Sequence, residues 1–487
     1  MTQSTQQTGY VNHLTEDQEA KLRELWILLF TSAASVLSAV YNVPLPDGPS
    51  NRLFEVIDNI EEPSVDAIIA ALKREKQKTS PQTNPKKREQ SSLDHMESLI
   101  NNDQAEKTLV SEMATRKLSV EHFSALLTEL RTMGVSESEI GSMERILSRL
   151  TPQEMCFAIL KMVKQDHPDS LLLRFLRARK WDVGRAFAMM ASAILWRKEM
   201  EVDDDIMPKG ELHALKQSKD ESNVIQQKQG ADFLAQLRMG KSYLRGVDRQ
   251  GRPINVVRVR LHRPGDQSEE TLERYIVHVI ESTRLLLKPP VETGAIVFDM
   301  TGFSLKNMEY APVKFIIKCF EANYPESLGV LLIHNAPWIF SGIWKIIHPW
   351  MDPVVASKVH FTRNITDLEK FIDRSQLTKD FGGDADWTYD YIEPQLDENV
   401  TMEDTATRDA LMVERTKIGL KMLAATAAWI SASSDSQGTG DRSHIAELTA
   451  RREKFIEDFR LNYWKLDPYI RARAIIDRMG ELKPDDG

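Results

Sequence analysis

Short strand-like segments alternate with longer helix-like segments between residues 240 and 395 of this 487-residue chain. The strand-like segments read RPINVVRVRL, GAIVFDM, GVLLIHN and KVHFT. Between them, apolar residues recur at helical spacing, as in SEETLERYIVHVIESTRLLL. This alternation is typical of βαβ units, and GAIVF and GVLLI are apolar throughout, as strands buried on both faces are. The sequence therefore predicts an α/β domain with a mainly parallel sheet and covering helices.

Helix-like sequence flanks this region on both sides. Capping boxes at Thr15 with Gln18 and at Thr151 with Glu154 mark helix starts before it. Between those two helices, KREKQKTSPQTNPKKREQSS is charged, polar and interrupted by proline, which is typical of an inserted or disordered segment. The predicted divisions are the start of an N-terminal helical region (1–60), an insertion (61–115), a helical subdomain (116–210), the α/β domain (211–395) and a C-terminal helical extension (396–487).

Composition limits the class of protein and its partners. The formal net charge of −9 and the isoelectric point near 5.8 argue against a nucleic-acid binder. The two cysteines, Cys156 and Cys319, lack the spacing of a metal clip or a redox pair, which favours a reducing intracellular compartment. The polar start MTQSTQQTGY indicates no signal peptide, and no apolar run reaches transmembrane length. We therefore expect a cytoplasmic protein that contacts membranes peripherally.

Motifs for catalysis or for a bound cofactor are missing from the sequence. There is no G-x-G-x-x-G between a strand and a helix, no P-loop, no G-x-S-x-G elbow and no zinc-binding cluster. Asp299 ends a predicted strand, where catalytic carboxylates often lie, but it more simply bonds the turn that follows. Ser341, His348 and Asp352 fall on one helical side as a surface row. We therefore predict no enzyme, no metal site and no cofactor.

The segment FSGIWKIIHPWMDPVVASK, from Phe340 to Lys358, is apolar around most of a helical circumference. A helix that packs on a sheet needs only one apolar stripe. One interpretation is a helix buried on all sides. The other is a lid, with one apolar face lining a cavity and the other meeting something apolar outside. Pro349 and Pro353 predict that the helix stops or kinks there.

Several long motifs follow one another in a single order along the chain. They are LLLRFLRARKWDVGRAFAMMASAILWRK, GVDRQGRPI, FDMTGFSLKNM, EANYPESLGVLLIHNAPWIFSGIWKIIHPWMDPVVASKV and LTKDFGG. This set resembles the CRAL-TRIO lipid-binding family and, within it, the fungal Sec-fourteen-like phosphatidylinositol transfer proteins. GYVNHLTEDQEAKLREL is similar to the start of that family's helical subdomain. The tail YWKLDPYIRARAIIDRMG resembles a subgroup that transfers phosphatidylinositol but not phosphatidylcholine.

The resemblance implies a non-catalytic carrier. Its pocket would lie between the sheet and the helices, enclose one phosphatidylinositol under a gating helix, and exchange it at membranes. The gating helix falls on the apolar segment, where the candidate acyl-pocket and membrane-facing residues are Phe340, Ile343, Trp344, Ile347, Trp350 and Met351.

The resemblance also implies four headgroup-binding residues. The family's acid in the YPE motif falls on Glu326, and its lysine after the gating helix falls on Lys358. The basic pair in RARK falls on Arg179 and Lys180. Phosphate requires fixed cationic donors and inositol hydroxyls suit a carboxylate acceptor. The alternatives are that Glu326 and Lys358 form an ion pair supporting the sheet, and that RARK pairs with acids of the C-terminal elements.

The sequence departs from the family at several ligand positions. Val355 replaces a threonine that contacts the headgroup. Phe320 and Leu244 stand where hydroxyl-bearing side chains are expected for phosphatidylcholine, although Ser304 and Tyr243 could lie near that site. Phosphatidylcholine exchange is therefore not expected, and a sterol or squalene-like molecule is an alternative ligand.

A second role stays open beside lipid transfer. The chain could act as a lipid-sensing adaptor whose protein partner binds segment 61–115 or the C-terminal helices. In either role we expect a monomer that associates transiently with endoplasmic-reticulum, endosomal or lipid-droplet membranes.

Overall fold

The computed structural model describes residues 8–41, 123–124, 126–435 and 442–484. The predicted insertion, residues 61–115, lies outside these ranges, as do the segments that adjoin it. The described chain runs from helices through a sheet with crossing helices to further helices, in agreement with the predicted fold class.

Five strands form one sheet in the order β1-β2-β3-β4-β5. The strands are β1 (Ser242–Val247), β2 (Pro253–Arg258), β3 (Gly294–Asp299), β4 (Leu328–His334) and β5 (Val359–Thr362). β1 pairs with β2 in antiparallel fashion, whereas β2 to β5 all run parallel. The prediction of a mainly parallel sheet is therefore confirmed.

The apolar pattern does not predict β1, because its sequence SYLRGV mixes polar and apolar side chains. GVDRQGRPI, which resembles a strand of the family, forms mostly the turn between β1 and β2. In this turn, Asp248 Oδ1 accepts hydrogen bonds from the backbone N–H groups of Gln250 (2.8 Å) and Arg252 (2.9 Å). Gly251 takes a φ of +76°, which glycine adopts without steric cost. The motif therefore marks a hairpin turn.

Helices precede, connect and follow the strands. Before the sheet they are α1 (Glu16–Tyr41), α2 (Glu137–Leu147), α3 (Pro152–Val163), α4 (Pro168–Ala178), α5 (Val183–Glu199), α6 (Met207–Ser218) and α7 (Val224–Arg238). Among and after the strands they are α8 (Glu269–Leu285), α9 (Tyr310–Lys318), α10 (Phe340–Ile347), α11 (Pro353–Ser357), α12 (Ile365–Leu368), α13 (Thr405–Asp435), α14 (Arg442–Ile470) and α15 (Ile475–Arg478).

The two predicted capping boxes are confirmed. At α1 the backbone N–H of Gln18 donates to Thr15 Oγ1 at 3.2 Å, and the backbone N–H of Thr15 donates to Gln18 Oε1 at 3.1 Å. At α3 the reciprocal bonds join Thr151 and Glu154 at 3.2 Å and 2.8 Å. Each box satisfies two backbone donors that a helix start leaves without a partner.

The two faces of the sheet bury different apolar clusters, because successive side chains of a strand point to opposite faces. On one face Val256, Val297 and Leu332 pack with the segment 365–389, which includes α12. The opposite face presents a second set of side chains to α9 and α10, and we call it the α10 face. The α10-face set from the central strands is Ile296, Phe298, Leu331 and Ile333.

The C-terminal helices complete the core that the N-terminal helices begin. α13 and α14 pack against each other, and their apolar side chains share one buried cluster with α1, α3 and α5. Within this cluster Arg452 of α14 donates to Asp169 Oδ2 at 2.9 Å, and Trp26 Nε1 donates to Asp169 Oδ1 at 2.8 Å. Residues more than 400 positions apart therefore meet on a single carboxylate.

The tail that follows α14 is held by buried ion pairs. Arg471 donates to Asp467 Oδ1 at 2.7 Å and to Asp477 Oδ2 at 2.7 Å. Glu211 of α6 accepts the backbone N–H of Ile475 at 2.8 Å and pairs with Arg478. The motif YWKLDPYIRARAIIDRMG thus fixes the end of the chain onto α6.

No helix in the described ranges is both long enough and apolar enough to span a membrane.

Candidate functional site

α10 covers the α10 face of the sheet and buries one side of its surface there. Phe340, Ile343 and Ile347 are buried in the apolar cluster of that face, and Trp344 is half-buried against it. The outward side includes the exposed Lys345 and is therefore partly polar. The interpretation of a helix buried on all sides is wrong, because α10 is amphipathic.

The segment breaks where the prolines predict. α10 ends at Ile347, a 3-10 turn covers His348–Trp350, and α11 begins at Pro353. Trp350 and Met351 in this break are half-buried and contact the same apolar cluster as α10. All six candidate acyl-pocket residues therefore belong to one apolar cluster between α10 and the sheet. Their role toward a lipid stays a prediction.

Aromatic contacts hold both ends of this segment. Phe340 meets Phe303 edge to face, with ring centroids 5.9 Å apart. At the other end the Trp350 ring lies 5.5 Å from the Tyr310 ring, and the Lys314 ammonium stands 4.8 Å from the Trp350 ring centroid. Each such contact contributes about 0.5 to 1.5 kcal/mol beyond the apolar area that it buries. Residues 340–352, which we call the covering segment, are therefore held by separate contacts near their two ends.

Apolar side chains are also exposed around α10. Trp338, just before the helix, is 86% exposed, and Ile346, Val354 and Phe361 are each more than 40% exposed. Large exposed apolar side chains that lie close together mark surfaces for membranes or partners. An apolar surface therefore borders α10 on the solvent side.

Glu326 and Lys358 meet at the edge of the apolar cluster. Lys358 Nζ donates to Glu326 Oε2 at 3.0 Å, and the two side chains are 19% and 18% exposed. Lys358 follows α11, while Glu326 precedes β4 in a left-handed conformation with φ of +53°. The two predicted headgroup residues are therefore adjacent. Their geometry fits both the headgroup prediction and the ion pair that supports the sheet.

Arg179 and Lys180 are exposed in the turn that follows α4. Arg179 acts electrostatically on Glu321, whose carboxylate accepts the backbone N–H of Asp352 at the end of the covering segment. Burial raises the pKa of Glu321, and Arg179 partly opposes this rise. The headgroup role of Arg179 and Lys180 stays a prediction.

Another arginine of RARK, Arg177, has a defined partner. Its guanidinium pairs with Glu292 at 3.0 Å, just before β3. This acid lies between α8 and β3 and does not belong to the C-terminal elements.

Glu281 of α8 is the centre of a buried charge network that sequence reasoning missed. Its side chain is fully buried and pairs with Lys164 at the end of α3 and with Arg197 of α5, the latter at 2.7 Å. The hydroxyl of Tyr324 donates to Glu281 Oε1 at 2.8 Å. Burial alone would raise the pKa of Glu281, but the cations Arg197, Lys164 and Arg284 hold it well below its usual range. The carboxylate therefore remains ionised inside the protein.

The position of Tyr243 corrects one expectation. Tyr243 packs in the apolar cluster on the sheet face opposite α10, against Trp387 and Tyr389, so it does not lie near a ligand under α10. The hydroxyl of Ser304 bonds Asn307 Oδ1 at 3.0 Å. Val355 packs with the apolar cluster of the α10 face, where a threonine hydroxyl would need a partner.

Among the residues considered for catalysis, Asp299 has a structural role in the turn after β3. Asp299 accepts the backbone N–H of Thr301 at 3.0 Å and pairs with Arg260 at 2.6 Å, as the turn-bonding interpretation predicts. Ser341, His348 and Asp352 are exposed. Among the described residues, no group of three or more His, Cys, Asp and Glu could hold a metal ion.

Lys241, between α7 and β1, is a buried lysine. Its ammonium donates to Gln267 Oε1 at 2.7 Å and to Gln236 Oε1 at 3.2 Å. Burial lowers the pKa of Lys241 to about 8, against the opposing influence of Asp266 and Glu309. The unfolded chain therefore binds more protons than the folded chain between about pH 8 and the ordinary lysine pKa near 10.4, and stability rises with pH in that window.

Replacing Lys241 with methionine tests this pKa. We expect the free energy of unfolding of the wild type to rise by about 2 kcal/mol relative to Lys241→Met between about pH 7.5 and 10.5. Urea unfolding across this range measures the difference. Lys345→Met, at an exposed position on α10, is the control for the loss of one lysine charge. Parallel curves for the wild type and Lys241→Met would contradict the lowered pKa.

Comparison with known proteins identifies the family. The CRAL/TRIO domain model matches residues 237–383, and the model of the CRAL/TRIO N-terminal domain matches residues 136–192. The phosphatidylinositol transfer protein CSR1 of Eremothecium gossypii is 36% identical over 491 residues, which cover 99% of this chain and 100% of that protein. This chain belongs to the CRAL-TRIO family. The resemblance read from the motifs is thereby confirmed.

Other CRAL-TRIO proteins extend the comparison. A CRAL-TRIO domain-containing protein of Schizosaccharomyces pombe, C3H8.02, is 42% identical over 342 residues, covering 70% of this chain and 72% of that protein. The crystal structure of Sfh5 matches 45% of this chain and 73% of its own chain, at 17% identity and a TM-score of 0.34. The similarity to CSR1 extends beyond both family-model matches, into the flanking helices.

Proposed function

We propose that this CRAL-TRIO protein binds one phosphatidylinositol between the α10 face and the covering segment and transfers it between membranes without catalysing a reaction. The observation that carries the proposal is the Glu326–Lys358 pair at the edge of the apolar cluster. An ammonium suits the lipid phosphate, and a carboxylate suits neighbouring inositol hydroxyls. The name of the full-length relative CSR1 supports phosphatidylinositol as the ligand.

The apolar cluster supports the acyl-chain part of this proposal. Each methylene removed from water contributes about 0.8 kcal/mol, so two acyl chains of ordinary length require on the order of 20 kcal/mol of matching apolar contact. A carrier must supply that contact and release it only at a membrane. An amphipathic helix over a buried apolar face suits this task, since it can move aside as a gate while its exposed apolar border meets the bilayer.

The choice of phosphatidylinositol over phosphatidylcholine rests on the side chains under α10. Val355 and Phe320 pack there without a hydroxyl, and Tyr243 lies on the other sheet face. We therefore propose that the second ligand, if exchange requires one, is an apolar molecule such as a sterol. Arg179 and Lys180 would meet the phosphate from the RARK turn.

Lipid analysis of the purified full chain tests the function. We expect stoichiometric phosphatidylinositol by mass spectrometry after organic extraction, and transfer of labelled phosphatidylinositol between vesicles. The Glu137→Gln variant, which changes an exposed acid of α2 paired with Arg131, should still bind and transfer the same lipid. A sterol or neutral lipid alone, with no transfer of phosphatidylinositol, would overturn the headgroup assignment.

A further inference from the structure

Glu326 lies in a four-residue turn, Tyr324–Ser327, which we call the headgroup turn. Glu326 holds a left-handed φ of +53°, a conformation that costs a residue with a side chain roughly 1 kcal/mol or more and persists only where neighbouring contacts fix it. At the far end of the turn, the carbonyl oxygen of Ser327 accepts the backbone N–H of Gly294 in β3 at 2.9 Å. The turn is therefore attached to the sheet on one side.

Tyr324 attaches the other side of the headgroup turn to the helical half of the protein. Its side chain is 5% exposed and meets the Trp196 ring edge to face at 5.7 Å. Its hydroxyl donates at 2.8 Å to Glu281, and Glu281 is paired with Lys164 and Arg197. Lys164 follows α3 and Arg197 lies in α5, so both cations come from the N-terminal helices.

The Tyr324 hydroxyl can act only as a donor to Glu281. Burial and the neighbouring Glu281 charge raise the pKa of Tyr324 well above its ordinary value, so the phenol stays protonated. Its acceptor, Glu281, keeps two cations that come from other elements. Removing the hydroxyl thus loosens the headgroup turn without leaving the carboxylate of Glu281 unpaired.

We infer that Tyr324 is a positioning residue for phosphatidylinositol, through which the buried Glu281 network sets the conformation of Glu326 beside Lys358. The inference rests on the proposed function and deepens it. It assigns headgroup selectivity partly to the N-terminal helices that supply Lys164 and Arg197. Only Pro325 separates Tyr324 from Glu326 along the chain, so a small shift of the Tyr324 ring displaces Glu326 directly.

Tyr324→Phe tests this role in the full-length protein. The probes are pyrene-labelled phosphatidylinositol and pyrene-labelled diacylglycerol with the same acyl chains, both delivered from phosphatidylcholine vesicles. We expect binding of phosphatidylinositol to weaken about fivefold to tenfold, as for the loss of one well-placed hydrogen bond. Binding of diacylglycerol, which has no phosphoinositol group, should change by less than about twofold.

The matched control is Tyr463→Phe. Tyr463 is also a buried tyrosine whose hydroxyl donates to a carboxylate, Asp467 Oδ1, at 3.2 Å, but it lies in α14 and its acceptor is not Glu281. This variant should bind both probes like the wild type. An equal loss of both probes in Tyr324→Phe, or no loss of either, overturns the inference.

A double-mutant cycle separates positioning from general loosening. If Tyr324 acts through Glu326, then Tyr324→Phe should cost less than about twofold in the Glu326→Gln background, because the residue it positions no longer acts. Fully additive losses would overturn the inference while leaving the proposed function intact. A wild-type protein that takes up no phosphatidylinositol would overturn both.

Discussion

Lys358→Ala is expected to reduce phosphatidylinositol transfer about 10- to 100-fold, because a hydrogen bond to a charged group contributes about 1.5 to 3 kcal/mol. Lys358 Nζ is the cation held beside Glu326 at the edge of the apolar cluster. A vesicle-to-vesicle assay with labelled phosphatidylinositol measures the rate. Lys345→Ala, which removes an exposed lysine from the outer side of α10, should transfer within about twofold of the wild type.

The same variant distinguishes a ligand role from support of the sheet. The two side chains are about one-fifth exposed, so the ion pair itself should contribute little to folding. We expect the thermal unfolding midpoint of Lys358→Ala to fall by only a few degrees, as for a loss of about 1 kcal/mol or less. A large fall in the midpoint together with normal transfer by the folded fraction would favour the structural ion pair.

Glu281→Ala is expected to destabilise the protein by about 3 to 5 kcal/mol, because it leaves buried cations without their carboxylate. Lys164 and Arg197 have side chains less than one-tenth exposed, so water cannot replace the lost partner. Urea unfolding measures this loss. Glu137→Ala, which removes an exposed acid paired with Arg131, should change stability by less than about 1 kcal/mol.

The stability of the wild type should depend on pH through the ionisation of Glu281. The pKa of Glu281 is held well below its usual range, so the stability it contributes is present above the unfolded pKa and is lost as the pH falls through the folded value. Glu281→Ala should lack this part of the acid-induced loss. If Glu281→Ala were as stable as the wild type at neutral pH, Glu281 would not be the centre of the buried charge network.

Much of the fold could be predicted because local patterns agree with it. The runs GAIVF in β3 and GVLLI in β4 are apolar throughout, since both strands are central in a parallel part of the sheet, and prolines mark the end of α10 and the start of α11. β1 escapes prediction because an antiparallel edge strand needs no such apolar run. Periodicity also left open a helix buried on all sides, whereas the folded α10 leaves Lys345 and its neighbours exposed.

The candidate site was only partly accessible to sequence reasoning. Glu326 and Lys358 are 32 residues apart, and family resemblance, more than any local pattern, pairs them. Glu281 lies in an amphipathic helix where a glutamate ordinarily faces water, and its partners Lys164 and Arg197 are 117 and 84 residues away. Only the packing of α3, α5 and α8 brings these charges together, so no spacing in the sequence predicts the network.

The buried core that α1 shares with α13 and α14 affects how the chain folds during synthesis. α1 emerges from the ribosome early in synthesis. The helices that complete its buried core, α13 and α14, emerge only after the whole sheet. The growing polypeptide must therefore keep an unfinished apolar surface apart from other nascent chains until its final segment appears. A premature stop codon near residue 400 would leave all five strands encoded. The N-terminal helices would then lack α13 and α14, which cover their apolar surface.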